Sequence, residues 1–441
     1  MSHAGAALRN SLVASLGGFL FGFDTAVISG VEKSIQSLWS LDSFSHGFTV
    51  AAALMGTVLG SLLAGAPAER FGRTKMLQLI GLLYVITSLV TALTSSWLPF
   101  VIFRFLGGIG VGASSVVGPM YISEIAPAQY RGRLVALFQF NIVSGILIAF
   151  ISNYLLDGIS EESWRWMLGV QAVPSAIFLV LAFFVPESPR WLMGKNREAE
   201  AKVVLEQMGE KEPIAAMTQI RESLHSSGDE PLFSKKYSKP ILFAVSLAMF
   251  NQLSGINAIM YYAPRIFEMT GLTKSGALLQ AISIGVTNMV FTMLAISVID
   301  KFGRRTLLII GSVGMALFLG LVGNAFFSGD FGGYFVMFCL VGFIAFFAFS
   351  QGAVIWVFIS EIFPNRVRSK GQTLGSFTHW IMAAVISWTF PIIVGESDNG
   401  AAYAFAFFSV MMVAHLFFVW KVLPETKGQS LEGIQHSLGI H

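Results

Sequence analysis

Charged residues are scarce in this chain of 441 residues: they make up 12% of it, against 54% hydrophobic residues, where a soluble protein carries about 25% charged. The mean hydropathy is +0.70. A single soluble core could not hide that much apolar surface, whereas a bilayer accommodates it, so a water-soluble globular fold is excluded. Cysteine is nearly absent. Cys339 is the only one and stands inside an apolar run, which excludes an intramolecular disulfide. The net charge of +3 is too small to point to nucleic acid. No charged n-region followed by a short apolar stretch and a cleavage site opens the chain, so no removable signal peptide is expected. Also missing are a Gly-rich phosphate loop after a strand, a Cys/His cluster at metal-ligand spacing and a credible Ser/His/Asp set. No enzyme, no cofactor and no metal are expected.

Long apolar runs are what the chain has instead. Stretches able to span a roughly 30 Å hydrocarbon core fall at about 9–30, 47–68, 75–95, 98–123, 134–157 and 165–186, and resume at about 240–264, 275–299, 305–328, 333–360, 371–395 and 400–423. That predicts an all-α membrane protein with twelve spans. Arg70, Arg73 and Lys75 follow span 2, Arg131 and Arg133 follow span 4, Lys301, Arg304 and Arg305 follow span 8, and Arg366, Arg368 and Lys370 follow span 10. The opposite loops hold mostly acids, such as Asp157, Glu161, Glu162, Asp330, Glu396 and Asp398. The positive-inside rule then predicts that the basic loops, the central segment and both termini face the cytoplasm of a multi-pass protein of the cell membrane. The expected layout is a six-helix bundle over 1–186, a linker of short solvated helices over 187–239, a second bundle over 240–424 and a short tail over 425–441.

The two halves repeat. Glu69-Arg-Phe-Gly-Arg73 answers Asp300-Lys-Phe-Gly-Arg304, Glu124-Ile-Ala-Pro-Ala-Gln-Tyr-Arg131 answers Glu361-Ile-Phe-Pro-Asn-Arg-Val-Arg368, and Pro186-Glu-Ser-Pro-Arg190 answers Pro424-Glu-Thr-Lys-Gly428. Three motifs recurring in order predict two similar bundles with a binding site between them near the bilayer midplane.

Asp24 is the sharpest single feature. A carboxylate inside a span costs about 2.5–3.5 kcal/mol on insertion scales, so it lines a cavity, has a partner or titrates. Span 1 running outward puts Asp24 about 22 Å in, and span 4 running inward puts Arg104 about 9 Å below the outer surface. The two can meet at one depth. Pairing would hold the acid ionised, and losing the partner would let it take up a proton. A permanent structural ion pair is the alternative.

Amides are the second group. Gln139, Asn141, Asn251, Gln252, Asn257, Gln280 and Asn288 lie within spans, with Trp356 in span 10. An amide offers donor and acceptor together without a net charge to desolvate, as a polyol requires, and an aromatic ring packs on an apolar face. Any one of them could equally be an interhelical hydrogen bond. Gly107-Gly108-Ile-Gly110 sits inside an apolar span and reads as a helix-packing surface.

Taken together, Gly22-Phe-Asp-Thr-Ala-Val-Ile-Ser-Gly30, Arg104-Phe-Leu-Gly-Gly-Ile-Gly-Val-Gly112, Pro186-Glu-Ser-Pro-Arg-Trp-Leu192, Gln252-Leu-Ser-Gly-Ile-Asn257 with Tyr261-Tyr262, and Pro424-Glu-Thr-Lys-Gly428 resemble the sugar porter family of the major facilitator superfamily over essentially the whole chain. The resemblance implies a major facilitator fold and alternating-access import of a monosaccharide. It implies Gln139, Asn251, Gln252, Asn257, Asn288 and Trp356 as sugar ligands. It implies Asp24 with Arg104 as the proton-coupling pair, because proton-coupled members keep an acid where animal facilitative members have Asn. Sugar and proton are then the partners, in a bilayer, with a monomer expected and no nucleic acid. Departures are Asn251 for a usual Gln, His379 for a usual Gln or Asn, Ile146 where a xylose-carrying member has Gln, and a proline-free Ser350-Gln-Gly-Ala-Val-Ile-Trp356, which predicts a stiffer hinge. His379 is open as a sugar ligand, a second proton group or a structural donor, whereas His415 reads as a packing residue. Glu124 with Arg131, Glu361 with Arg368, and Arg73, Arg304, Arg305, Glu187 and Glu425 are expected to form a cytoplasmic gate. Proton-free uniport, a sugar sensor and an antiporter for other substrates remain the alternatives.

Overall fold

Peptide groups in hydrocarbon have no water to bond, so each apolar run must close its own hydrogen bonds, and it does so as a helix. The computed structural model describes residues 3–127, 129–225, 230–364 and 366–427. Of the tail expected over 425–441, residues 428–441 lie outside the described residues, as do 226–229 of the linker. The helices are α1 (His3–Leu38), α2 (Ser43–Leu63), α3 (Gly65–Phe71), α4 (Arg73–Leu93), α5 (Trp97–Ile125), α6 (Arg131–Leu156), α7 (Ser163–Gly169), α8 (Ala172–Ala182), α9 (Pro189–Gly194), α10 (Glu198–Gln207) and α11 (Pro213–His225). After a 3₁₀ turn at Lys235–Tyr237 come α12 (Ser238–Leu253), α13 (Ile256–Met269), α14 (Lys274–Phe302), α15 (Arg304–Ser328), α16 (Phe335–Phe349), α17 (Gln351–Ile362), α18 (Arg368–Glu396) and α19 (Gly400–Lys421). Twelve candidate membrane spans lie among the described residues. α1 runs two turns beyond its expected end, to Leu38.

Three spans are interrupted among the described residues, the first where α7 gives way to α8 between Gly169 and Ala172. Between α12 and α13, Gly255 takes φ +81°, and a Cβ there would lie 2.4 Å from the Phe408 ring, so both backbone and space require glycine. Within α13, Tyr262 leaves helical geometry and Pro264 withholds an amide proton. Between α16 and α17 the chain breaks at Ser350 (φ −119°, ψ −91°). The expected stiffer hinge rested on the missing proline, yet the helix is interrupted there. The Ser350 hydroxyl bonds back to the Phe346 carbonyl at 2.6 Å, and Gly311 leaves no side chain in its way.

The chain divides into two compact units. The first comprises Met1–Val27, Met55–Ala149 and Gly158–Gly228, and the second Ile28–Leu54, Phe150–Asp157 and Asp229–His441. In the first, the linker helices bury an apolar face: Leu192, Met193, Ala201, Val204 and Met208 join the core built by Leu77, Tyr84 and Tyr121. Small residues draw its long helices together. A Cβ on Gly56 would fall 1.9 Å from the Phe105 carbonyl, and one on Gly112 2.3 Å from that of Thr57, which locks α2 against α5. Gly107 and Gly110 face α4, where a Cβ would lie 3.3 Å from the Thr87 hydroxyl and, at ordinary contact distance, 3.5 Å from Leu83. Gly56→Val must therefore push two helix backbones apart, at a cost of about 3 kcal/mol. We expect it to lose the monodisperse peak in size-exclusion chromatography that a Gly110→Ala control keeps.

Candidate functional site

In the first unit, Asp24 of α1 and Arg104 of α5 meet. Arg104 Nη1 donates to Asp24 Oδ1 at 2.8 Å. The contact joins the two residues that the helix rise places at one depth. Both side chains are buried, at 7% and 3% exposure. A guanidinium fork usually grips a carboxylate at two points. Here the grip is single, and Arg104 Nε and Nη2 have no partner among the described residues. Two orphaned donors in a dry site make the arrangement costly to keep and receptive to change. Gln139, half-buried on α6 of the same unit, has no hydrogen-bond partner among the described residues.

In the second unit, the break after α12 gathers polar side chains. Gln252 Nε2 donates to Asn251 Oδ1 at 3.1 Å and lies 3.2 Å from His379 Nε2 on α18. An amide nitrogen only donates, so that imidazole nitrogen accepts. Asn251 Nδ2 reaches the Gln351 carbonyl at 3.5 Å, the long limit of such a bond. Gln252 Oε1 is buried with no partner among the described residues. The His379 ring lies between Trp356, at 4.9 Å, and Trp380, at 4.8 Å and nearly perpendicular. Trp356 remains 36% exposed. Asn257 on α13 and Asn288 on α14 make no hydrogen bond among the described residues. The structure thus brings Asn251, Gln252, His379 and Trp356 into one contact set and leaves Asn257 and Asn288 as free amides beside it in sequence order. His415 is only half satisfied. Its Nδ1 meets Ser312 Oγ at 2.8 Å and Gln351 Nε2 at 3.0 Å, while Nε2 has no partner among the described residues.

A family model described as "Sugar (and other) transporter" matches residues 10–438. The chain belongs to this family. The D-xylose-proton symporter of Escherichia coli strain K12 is 37% identical, with 96% of this chain and 94% of that protein covered. The arabinose-proton symporter of Bacillus subtilis strain 168 is 36% identical, with 96% and 93% covered. Among solved structures, the partially occluded inward-open form of the xylose transporter XylE from E. coli superposes with a TM-score of 0.87 at 36% identity, covering 97% of this chain and all of that one. This sugar transporter therefore has the major facilitator fold.

The charged motifs of this sugar transporter close within each unit, and their partners differ from those expected. Glu124 pairs with Arg73, not Arg131: Nε and Nη2 of Arg73 each donate to it at 2.9 Å. Glu361 likewise pairs with Arg304, at 2.8 Å, not with Arg368. The cause is the proline after each acid, which ends the helix and turns the chain before the downstream arginine. Arg131 is exposed and lines a cavity of about 440 Å³ with Arg190, Glu210 and Ser223. Arg368 donates to the Phe363 carbonyl at 3.3 Å. Glu187 accepts the Arg73 amide at 2.9 Å, and Glu425 accepts those of Arg304 and Arg305 at 3.0 and 3.1 Å. Gly72 (φ +99°) and Gly303 (φ +88°) make room for these two carboxylates. Burial pushes the Glu187 carboxyl up, against the pull of the Ser188, Arg73 and Thr74 amides. Arg305 also caps the carbonyls of Val419 and Trp420 at the end of α19.

One ionic cluster escaped the sequence reading. On the added turns of α1, Glu32 Oε1 accepts Arg265 Nε at 2.9 Å, while its Oε2 lies 2.7 Å from Arg265 Nη2 and 2.7 Å from His46 Nε2 on α2. Arg265 also donates to Gln36 Oε1. The signal that could have found it is Glu32 itself, an acid in helical register beyond a hydropathy boundary. Among the described residues no group of His, Cys, Asp and Glu is placed to hold a metal ion.

Proposed function

We propose that the chain is a proton-coupled monosaccharide importer working by alternating access. The observation that carries this reading is the buried single-point ion pair of Asp24 and Arg104, an acid inside a span whose partner keeps two donors unused. Ionised, Asp24 is held by Arg104. When the pair parts, the carboxylate loses its counter-charge and binds a proton, so proton binding and conformation are linked. Asn251, Gln252, Asn257, Asn288, Trp356 and His379, with Gln139, are the proposed sugar ligands. The unpaired amides suit hydroxyls that both donate and accept, and Trp356 suits the apolar C–H face of a sugar ring. His379 acts here as a sugar ligand, since Gln252 already engages its accepting nitrogen.

The relatives named as xylose-proton and arabinose-proton symporters support the substrate class and the coupling. The cytoplasmic termini, the monomeric state, and the division into bundles at 1–186 and 240–424 around the 187–239 linker belong to the same proposal. In it, Arg73, Glu124, Glu187, Arg304, Arg305, Glu361 and Glu425 brace the inner loops, with Arg131 and Arg368 at their rim. Counterflow in proteoliposomes with a panel of labelled pentoses and hexoses tests the reading. At least one monosaccharide should exchange at a rate well above that of empty liposomes. Exchange of none at any pH would end it.

A further inference from the structure

The cluster around Glu32 is built unlike the other ion pairs. Glu32 and His46 are 1% and 0% exposed. An ionised carboxylate only accepts, so His46 Nε2 carries the hydrogen that points to Glu32 Oε2. Its Nδ1 is then a bare acceptor, and it has no partner among the described residues. Glu32 Oε1 already takes a hydrogen from Arg265 Nε, and Arg265 Nη2 lies 2.7 Å from Oε2. The charges of Glu32 and Arg265 cancel, and neutral His46 adds none.

Charged and polar groups surround this cluster on several elements. α1 supplies Glu32, with the neighbouring Lys33 paired to Glu268. α13 supplies Arg265 and Tyr262, whose ring is edge-on to the imidazole at 6.1 Å and whose hydroxyl donates to the Ser387 carbonyl. α18 supplies that carbonyl and the Trp388 ring, packed on Phe44 and Phe48. Just ahead of α2, Asp42 is occupied by the Ser45 amide. None of these gives an Nδ1 hydrogen an acceptor. A second proton on His46 would therefore leave a net positive charge in a dry cluster, with its new hydrogen unbonded. Parting α1 and α2 from α13 would hydrate it.

We propose that His46 is a second proton-binding site of this transporter, whose occupation favours the parting of α1 and α2 from α13. The proposal rests on the orientation given above, which turns this end of α1 to the outer solution. The sign follows from linkage: if the parted state holds the proton better, protonation drives parting to the same degree. Acid outside would then open the outer face to sugar when the proton gradient is largest. The Gln36–Arg265 and Lys33–Glu268 contacts also join α1 to α13 and do not change that sign.

Hydrogen exchange of the purified full chain in nanodiscs tests this without relying on transport. Between pH 7.5 and pH 5.5, after correction for chemical exchange, amides of segments 43–50 and 258–270 should exchange on the order of tenfold faster in the wild type. In His46→Gln the increase should vanish. Glu32→Gln frees Arg265 and should give fast exchange at both pH values, so it reports on the same lock if His46→Gln folds poorly. Equal pH responses in wild type and His46→Gln, or none in the wild type, would overturn the site. Segment 77–84 of α4, away from both proposed proton sites, is the internal reference. Counterflow on the same preparations separates the two claims: sugar exchange with no His46-dependent opening sinks this proposal alone, and the reverse sinks the transport reading alone.

Discussion

Asp24→Asn should abolish sugar-driven proton movement while sugar exchange persists. Asparagine keeps the shape of the side chain and can still accept the one hydrogen bond from Arg104 Nη1. It cannot gain or lose a proton, so the transporter is left fixed in the chemistry of its protonated form. A cotransported proton is worth about 2.3 kcal/mol per 100 mV, which sets a sugar gradient of roughly 50-fold for each 100 mV of driving potential. In the variant that gradient should collapse to equality. De-energised cells given sugar should alkalinise the medium with the wild-type protein and not with the variant, whereas labelled-sugar counterflow should survive within several-fold. Alkalinisation by the variant would move the coupling to another group. Loss of folded protein is the other risk, because breaking a buried pair can cost about 3–5 kcal/mol, so size-exclusion profiles belong beside both assays.

The second large effect is expected at Gln252. Its amide nitrogen serves both Asn251 and His379, and its buried oxygen has no donor among the described residues. A sugar hydroxyl supplying that donor would relieve a penalty of about 1–3 kcal/mol. Gln252→Ala removes the acceptor and also frees His379 to turn away from Trp356. The half-saturation concentration for counterflow should rise roughly 5- to 150-fold on that energy scale, with the proton signal per sugar unchanged. A shift of less than twofold would take Gln252 out of the sugar site.

Hydrocarbon made the spans legible, because it forbids any other local structure to an apolar run of this length. It also made Asp24 and Arg104 legible, since a fixed rise per residue places both at one depth on antiparallel helices. The same rule hid Glu32. Hydropathy falls near residue 30, where Glu32 and Lys33 begin, although Val31 and Ile35 continue the buried face of α1. The acid partners were misread for a different reason. Arg131 and Arg368 are the near arginines in sequence, but Glu124 and Arg73 are 51 residues apart and Glu361 and Arg304 are 57 apart. Contacts across that distance depend on how Pro127 and Pro364 turn the chain. The break at Ser350 was invisible because a hydroxyl does there what a proline would have announced.

The two charged brackets are built from matching parts. Ser188 and Thr426 donate to Glu124 and Glu361 at 2.5 and 2.6 Å, just as Glu187 and Glu425 hold the start of α4 and of α15. Each bracket fastens the chain that follows α8 or α19 back onto the start of α4 or α15, through contacts between residues of one unit. The two share no residue, so mutations in one and in the other should act additively on stability.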